Sequence, residues 1–111
     1  MALSRRGMLV AVSDQEAADI LSRSPERFGT STLALIISEN RSMKSLSFRG
    51  VAPGLDTLAD GSYPLAKTLS LVMPEEPGSR VRSFLDFIRS PEGKDILEKT
   101  GNLPVEEAAG Y

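Results

Sequence analysis

The central apolar segment, residues 33–37, is the feature that most limits how this chain can fold. No uninterrupted apolar run in the 111 residues is longer than five, whereas a helix that crosses a bilayer needs about 20. The sequence therefore predicts no membrane span. Because leucine, alanine and isoleucine follow one another here without polar alternation, the segment is typical of a strand covered on both faces. We predict a strand over residues 30–38 inside an α/β fold.

Three further segments have the composition of strands. They are residues 8–12, residues 43–48 and residues 65–73, each short and rich in apolar side chains. In the last of them Leu69 and Leu71 are separated by a serine, which is the period of a strand. Together with the central strand, these segments predict an α/β class with a mixed sheet of about four or five strands and helices packed on it.

Two helix starts carry explicit capping signals. Ser13 and Glu16 have the spacing of a capping box, in which the serine oxygen accepts a hydrogen bond from the first turn and the glutamate reaches back. Ser90 and Pro91 combine a capping residue with the proline that a first helical turn tolerates. The sequence therefore predicts a helix after each of the two serines, and these helices end near residue 24 and residue 101.

Two more helices are predicted between these. Residues 55–60 form a short helix that Gly61 closes. A longer helix begins at Ser79, which is a candidate cap. Its apolar positions recur at the spacing of one helix face and are expected to point into the core; they are Val81, Phe84, Leu85 and Ile88.

Several classes of catalyst are excluded by composition. The chain contains no cysteine and no histidine, which removes the usual zinc sites, thiol nucleophiles, Ser-His-Asp triads and disulfide frameworks. Neighbouring acidic residues occur at 75–76 and at 106–107, but adjacent positions in a loop or a tail do not build a fixed acid–base couple. No glycine-rich loop has the spacing that cradles a phosphate group. We predict that the protein is not an enzyme and uses no cofactor.

Length and charge indicate one domain that does not bind nucleic acid. The 111 residues predict a single α/β domain over 1–111, with an ordered core over 6–105 and a tail over 106–111. The net charge is −2, and contacts with nucleic-acid phosphates need a basic stripe instead. Residues 1–12 place a basic pair before an apolar stretch that is too short for a signal peptide. The chain is thus expected in the cytoplasm if it is the whole gene product.

Two stretches in the second half carry motifs in a defined order. Residues 50–72 read GVAPGLDTLADGSYPLAKTLSLV, and residues 84–97 read FLDFIRSPEGKDIL, with GNLPV following at 101–105. These stretches resemble the C-terminal part of the phosphate-binding solute receptors of ABC transporters. That family has a G-V-x-P segment running through G-x-Y-P-L into a strand, then a helix ending in S-P-E-G. The resemblance extends over about residues 10–105.

The resemblance implies both a fold and a function. The fold is that of a type II periplasmic-binding protein, in which two α/β lobes close on an anion, and this chain would be part of one lobe. The function is binding of inorganic phosphate or a related oxyanion for an ABC-type importer, with the transporter permease as partner, in the periplasm or outside the cell. The chain lacks the family's first lobe and its Arg-x-x-x-Ser-Gly-Thr element, so it resembles a truncated or partial receptor.

Two groups of polar residues are the candidate ligands for such an anion. Ser13 and Asp14 lie at the amino end of the first predicted helix, where backbone N–H groups favour an anion. Thr30, Ser31 and Thr32 provide three hydroxyl donors at the start of the central segment. Each group also has a purely structural interpretation: Ser13 as a helix cap beside a repelling carboxylate, and the threonines as residues favoured in strands.

Other candidate anion contacts have simpler explanations. Ser79 is explained as a helix cap, and Lys67, which occupies a position where the family tends to have a basic residue, as a surface side chain. Arg5 and Arg6 are explained as solvated charge near the terminus.

A second class of function remains open, namely a non-catalytic interaction domain that forms a homodimer and binds no ligand of its own. An apolar surface and an unpaired sheet edge that once packed against a missing half would favour self-association.

Overall fold

Five helices form the regular structure that the computed structural model describes over residues 9–105. Irregular segments join them, and the longest of these segments connects the third helix to the fourth. The helices are α1 (Asp14–Ser22), α2 (Leu33–Ser38), α3 (Leu55–Ala59), α4 (Ser79–Arg89) and α5 (Pro91–Lys99). None of the helices in this part of the chain is long and apolar enough to cross a bilayer.

The predicted mixed sheet is wrong, and with it the α/β class and the type II lobe. Within residues 9–105 the β pairing is a single antiparallel bridge between Phe48 and Val51. Arg49 and Gly50 connect these two residues with φ angles of 51° and 81°, as in a two-residue hairpin turn. Residues 43–48 and 65–73 carry no further pairing, so the strand-like patterns there find no partner strand in the described chain. Of the predicted strand at 8–12, residue 8 lies outside the described range.

The central apolar segment is helix α2 and not a strand. Thr32 caps it, because its Oγ1 accepts a hydrogen bond from Leu35 N at 3.2 Å. At the other end Asn40 has a φ of 49°, and the N–H of Arg41 donates to Ile36 O at 3.0 Å, which closes the last turn. A short apolar run suits a buried helix as well as a buried strand. The Thr32 cap and the closing turn at Asn40 explain why this run is a helix.

The predicted capping of α1 is confirmed. Ser13 Oγ accepts a hydrogen bond from Glu16 N at 3.1 Å, and the Glu16 carboxylate accepts one from Val12 N at 2.8 Å. The predicted short helix after residue 54 is confirmed as α3, and Gly61 follows it with a φ of 77°. The predicted cap of α4 is wrong by one residue, since Gly78 is the N-cap and Ser79 is the first helical residue.

A tight corner joins α4 to α5. Ser90 belongs to both helix ends: its hydroxyl donates to Phe87 O and accepts from Gly93 N at 3.1 Å. Gly93 is buried, and a Cβ atom there would lie 2.1 Å from Phe87 O and 2.7 Å from Ile88 O. In the S-P-E-G motif, the serine therefore makes hydrogen bonds at both helix ends. The glycine has no side chain and so lets the backbone of α5 approach the carbonyl groups of α4.

The carboxyl end of α5 lies against α2. Gly101 has a φ of 84°, and the N–H of Asn102 donates to Leu97 O at 2.8 Å, as in a Schellman motif. A Cβ atom at Gly101 would lie 3.0 Å from Ile37 Cδ1 and 3.2 Å from Ala34 Cα. The closing turn of α5 thus uses its glycine both for the backbone conformation and for close packing.

The described residues bury little apolar surface. Ala18 is the one apolar side chain among them that is fully buried. On α4, which was predicted to face a core, Phe84 is 61% exposed and Phe87 is 44% exposed. Much apolar surface that a compact domain would cover therefore faces solvent.

The α4–α5 corner generates a stability prediction. Gly93→Ala forces a methyl group against the carbonyl oxygens of Phe87 and Ile88, and crowding of this kind costs about 1–3 kcal/mol. We expect urea unfolding, followed by far-UV circular dichroism, to show a loss of unfolding free energy in this range. Gly78→Ala is the matched control, since nothing lies within 4 Å of its Cβ position. Equal stability of the two variants would contradict the corner as described.

Candidate functional site

The amino end of α1 brings together three residues that the sequence singled out separately. Ser13 is the N-cap and Asp14 is the first helical residue. Lys67, which lies 53 positions along the chain from Asp14, reaches it with Nζ 2.7 Å from Asp14 Oδ2. Both side chains of this ion pair are about half exposed. The lysine thus places a positive charge beside the first turn of α1 and ties the segment after α3 to this helix.

Hydrogen bonds at this helix start already occupy the Ser13 hydroxyl. Its oxygen accepts from Glu16 N, and its backbone carbonyl accepts from Ala17 N at 3.0 Å. Two carboxylates, Asp14 and Glu16, lie in the first turn. Their negative charges neutralise the positive end of the helix dipole and would repel an anion. The structural interpretation of Ser13 as a cap is therefore correct in geometry, and any ligand contact would have to be additional to it.

The hydroxyl-bearing segment before α2 divides into two parts. Thr32 is half-buried and caps the helix through Leu35 N. Thr30 and Ser31 are exposed and precede the helix in irregular backbone, so the strand interpretation of these residues is wrong. No hydrogen bond or ion pair among residues 9–105 joins this segment to Ser13 or Asp14. The structure thus presents the two candidate groups as separate places on the chain.

An ion-pair cluster links α1 to the end of α2. The guanidinium of Arg41 pairs with Asp19 on α1 and with the carboxylate of Glu39 at 2.6 Å. The turn that closes α2 sets the position of Arg41, since its N–H donates to Ile36 O. Sequence analysis did not identify this cluster, because Asp19 and Arg41 are 22 positions apart and no local pattern connects them.

The hydrogen bond from Arg41 shapes the titration of Asp19. It lowers the pKa of this carboxyl below its ordinary value of 3.8, and the positive charges of Arg41 and Arg23 act in the same direction. The same pairing raises the pKa of Arg41. At neutral pH both groups are charged and each neutralises the other, so the cluster serves to join two helices and offers no spare positive charge to an anion.

A shallow depression of about 260 Å³ lies beside α4. It is open to solvent, and Arg82 on its wall donates from Nε to Pro77 O at 3.0 Å. Asp86 lies in the same depression and opposes the binding of an anion there. Three charged residues line it, namely Arg82, Asp86 and Arg89, together with Met73, Pro77 and Leu85.

The remaining sequence candidates are placed as follows. Ser79 opens α4 without acting as its cap. Arg5 and Arg6 lie outside the described residues, as do the acidic residues at 106–107. Glu75 and Glu76 lie in the exposed loop before α4. Among residues 9–105, no three Asp, Glu, His or Cys side chains gather in a way that could hold a metal ion.

Comparison with known proteins gives a distant similarity to phosphate-binding proteins. The chain is 29% identical over 92 residues, or 82% of its length, to "Phosphate-binding protein PstS 2" from two strains of Streptococcus agalactiae. It is 32% identical over 60 residues, or 54% of its length, to the protein of the same name from Streptococcus pneumoniae. The chain spans 30% and 21% of the length of these curated relatives.

Neither family models nor solved structures add to this similarity. No family model matches the chain, and no solved structure matches it. The finding is therefore a relationship to phosphate-binding proteins over most of this chain, and the named relatives are binding proteins rather than enzymes.

The Asp19–Arg41 pair generates a prediction on pH dependence. Because the folded pKa of Asp19 is lowered, the stabilisation from this pair is complete above the unfolded pKa, and it is lost as the pH falls through the folded value. We expect the unfolding free energy of the native chain to fall below about pH 4. The Asp19→Asn variant should show a shallower fall in urea titrations at pH 3 to 7.

A matched charge change tests whether this pH dependence belongs to the pair. Glu26→Gln removes one carboxylate from the loop after α1 and should leave the pH dependence close to that of the native chain. If Asp19→Asn and Glu26→Gln had the same pH profile, the ion pair would have no measurable role in stability.

Proposed function

We propose that this chain is part of a receptor for inorganic phosphate or a related oxyanion. The observation that carries the proposal is the similarity to phosphate-binding proteins over 82% of the chain. The motif resemblance at residues 50–72 and 84–105 supports the same relationship. The chain spans less than a third of those relatives' length. We therefore expect a whole receptor to contact its ligand through further residues in addition to those of this chain.

The further terms of the proposal follow from the family resemblance. The receptor serves an ABC-type importer, its protein partner is the transporter permease, and it acts outside the cytoplasm. In this role the chain contributes binding and performs no chemical step.

Thr30 and Ser31 are the donors that we propose for the oxyanion. Both are exposed, and neither hydroxyl is part of a helix cap, unlike those of Ser13 and Thr32. Hydroxyl donors to a charged oxygen give strong hydrogen bonds without requiring a net positive site. In this proposal Thr32 contributes by holding the start of α2, which fixes the position of the two donors.

The amino end of α1 is the second proposed contact. Lys67 brings its ammonium group to Asp14 at 2.7 Å, so the carboxylate that would repel an anion is paired. Ser13 holds the helix start through Glu16 N. We therefore propose Ser13 and Asp14 as the part of this helix start that faces the anion through backbone N–H groups, with Lys67 neutralising the Asp14 carboxylate.

Calorimetric titration of the chain with phosphate, sulfate and molybdate tests the proposal. We expect heat of binding with phosphate at millimolar concentrations and a weaker signal in high salt, since exposed charges are screened. The absence of heat with all three anions would refute ligand binding by this chain.

Isosteric replacement separates a ligand role from a structural one. Thr30→Val removes one hydroxyl, keeps the side-chain shape and touches no cap, and the loss of a hydrogen bond to a charged group should weaken phosphate binding roughly tenfold or more. Ser45→Ala removes an exposed hydroxyl elsewhere and is the control that should leave the affinity unchanged. Equal affinities for both variants would remove Thr30 from the site.

The homodimeric interaction domain predicted as an alternative concerns the exposed apolar side chains rather than these hydroxyl groups. That alternative has no ligand binding of its own, so heat of binding with phosphate would argue against it.

A further inference from the structure

The turn that closes α3 contains a pair of residues with a chemistry of their own. Asp60 and Gly61 form the one place in the sequence where a glycine follows an aspartate or an asparagine. Both residues are exposed to solvent, and the glycine carries no side chain that could shield its backbone nitrogen. In such a pair this nitrogen can attack the preceding side-chain carboxyl group, so the pair is a candidate for spontaneous isomerisation.

The reaction needs no partner other than water. The Gly61 nitrogen forms a bond to Asp60 Cγ, and the hydroxyl group of the protonated carboxyl leaves as water together with the proton of the N–H group. The product is a five-membered succinimide ring. Water then adds to one of its two carbonyl groups, and opening at the former backbone carbonyl leaves an isoaspartate, in which the main chain runs through Cγ.

The backbone conformation of Asp60 keeps the reacting atoms apart. This residue has a φ of −82° and a ψ of −6°. A ψ near zero means that the Gly61 nitrogen is eclipsed with the backbone nitrogen of Asp60 and is turned away from its Cβ atom. Ring closure requires the opposite arrangement, with the Gly61 nitrogen eclipsed with Cβ. The chain must therefore rotate about the Cα–C bond of Asp60 before the reaction can occur.

Three hydrogen bonds of the turn oppose this rotation. In each of them a backbone N–H group that follows the rotating bond donates to an oxygen that precedes it. The bonds run from Gly61 to Leu58 O at 3.3 Å, from Ser62 to Asp60 Oδ1 at 2.7 Å, and from Tyr63 to Thr57 O at 3.0 Å. Rotation about the Cα–C bond would break all three, so the turn must open before the ring can form.

Ser62 also makes the carboxyl group of Asp60 less reactive. Hydrogen bonds from the side chain and the backbone of Ser62 lower the pKa of this carboxyl below its ordinary value of 3.8. Loss of water requires the protonated carboxyl, which is therefore scarcer at neutral pH in the closed turn than in an open chain.

We propose that Asp60–Gly61 is a site of isoaspartate formation that the closing turn of α3 holds inactive, so that isomerisation occurs only when this turn opens. The modification makes the opening permanent, because an isoaspartate adds one methylene group to the main chain and displaces Gly61 N from Leu58 O. A modified chain thus loses the turn through which residues 62–65 leave α3.

Comparison of the whole chain with its own fragment tests the gating. Trypsin releases residues 50–67 by cleavage after Arg49 and Lys67, and the same fragment can be synthesised as a free peptide. A helix as short as α3 is not stable in isolation, so the turn is open in the peptide. Since opening breaks three hydrogen bonds, we expect isoaspartate at Asp60 to form roughly tenfold or more slowly in the chain. Chromatography and fragmentation of the tryptic peptide measure both rates at neutral pH.

A matched pair of glycine variants tests whether α3 is responsible for the protection. Ala59→Gly weakens the last position of α3, which is exposed, and should speed isomerisation in the chain roughly two- to fivefold. Ala66→Gly makes the same change at an exposed position outside the helices and should leave the rate unchanged. In the free peptide both variants should react at the native rate, which separates an effect on the turn from an effect on the chemistry.

Three outcomes overturn the proposal. The first is a free peptide that forms no isoaspartate at Asp60, which would remove the modification site. The second is an equal rate in the chain and in the peptide, which would show that the turn gives no protection. The third is an equal rate for Ala59→Gly and Ala66→Gly in the chain. None of these results depends on phosphate, so they test the proposal independently of the proposed function.

Discussion

The shortage of buried apolar surface is the constraint on which the rest of this structure depends. The described helices have 5 to 11 residues, and helices of that length are marginal in water unless tertiary packing supports them. Here packing fully buries only one apolar side chain among residues 9–105, that of Ala18. Hydrogen bonds at the helix ends and a few close backbone approaches must therefore supply much of the local order, as Ser90 and Gly93 do at the α4–α5 corner.

The same shortage connects the fold to the comparisons. The phosphate-binding relatives are much longer than this chain, which spans 30% of the length of the Streptococcus agalactiae protein. Exposed leucines at 65, 69 and 71 are positions that a larger assembly can cover. Apolar contact with another polypeptide body would therefore add the stabilisation that the helices lack on their own.

The candidate anion donors illustrate how closely a ligand site and a helix cap resemble each other. Ser13 and Thr32 have the residue type and position expected of either, and in the structure both accept a hydrogen bond from their own helix. Thr30 and Ser31 have no such task, which makes them the informative positions for ligand binding. The charge beside Ser13 comes from Lys67, a contribution that depends on chain segments far apart in sequence.

The sequence by itself determined several helix ends, although the cap of α4 lies one residue from its prediction and α2 was predicted as a strand. Ser13 with Glu16, Ser90 with Pro91, and the glycines at 61 and 101 act on groups within a few residues, so their effects can be deduced without knowing the rest of the fold. Tertiary structure alone decided whether residues 30–38 became helix or strand and whether residues 65–73 found a partner, because a strand requires hydrogen bonds from another segment. The same holds for the ion pairs of Arg41 with Asp19 and Lys67 with Asp14, since only the folded chain brings these residues together.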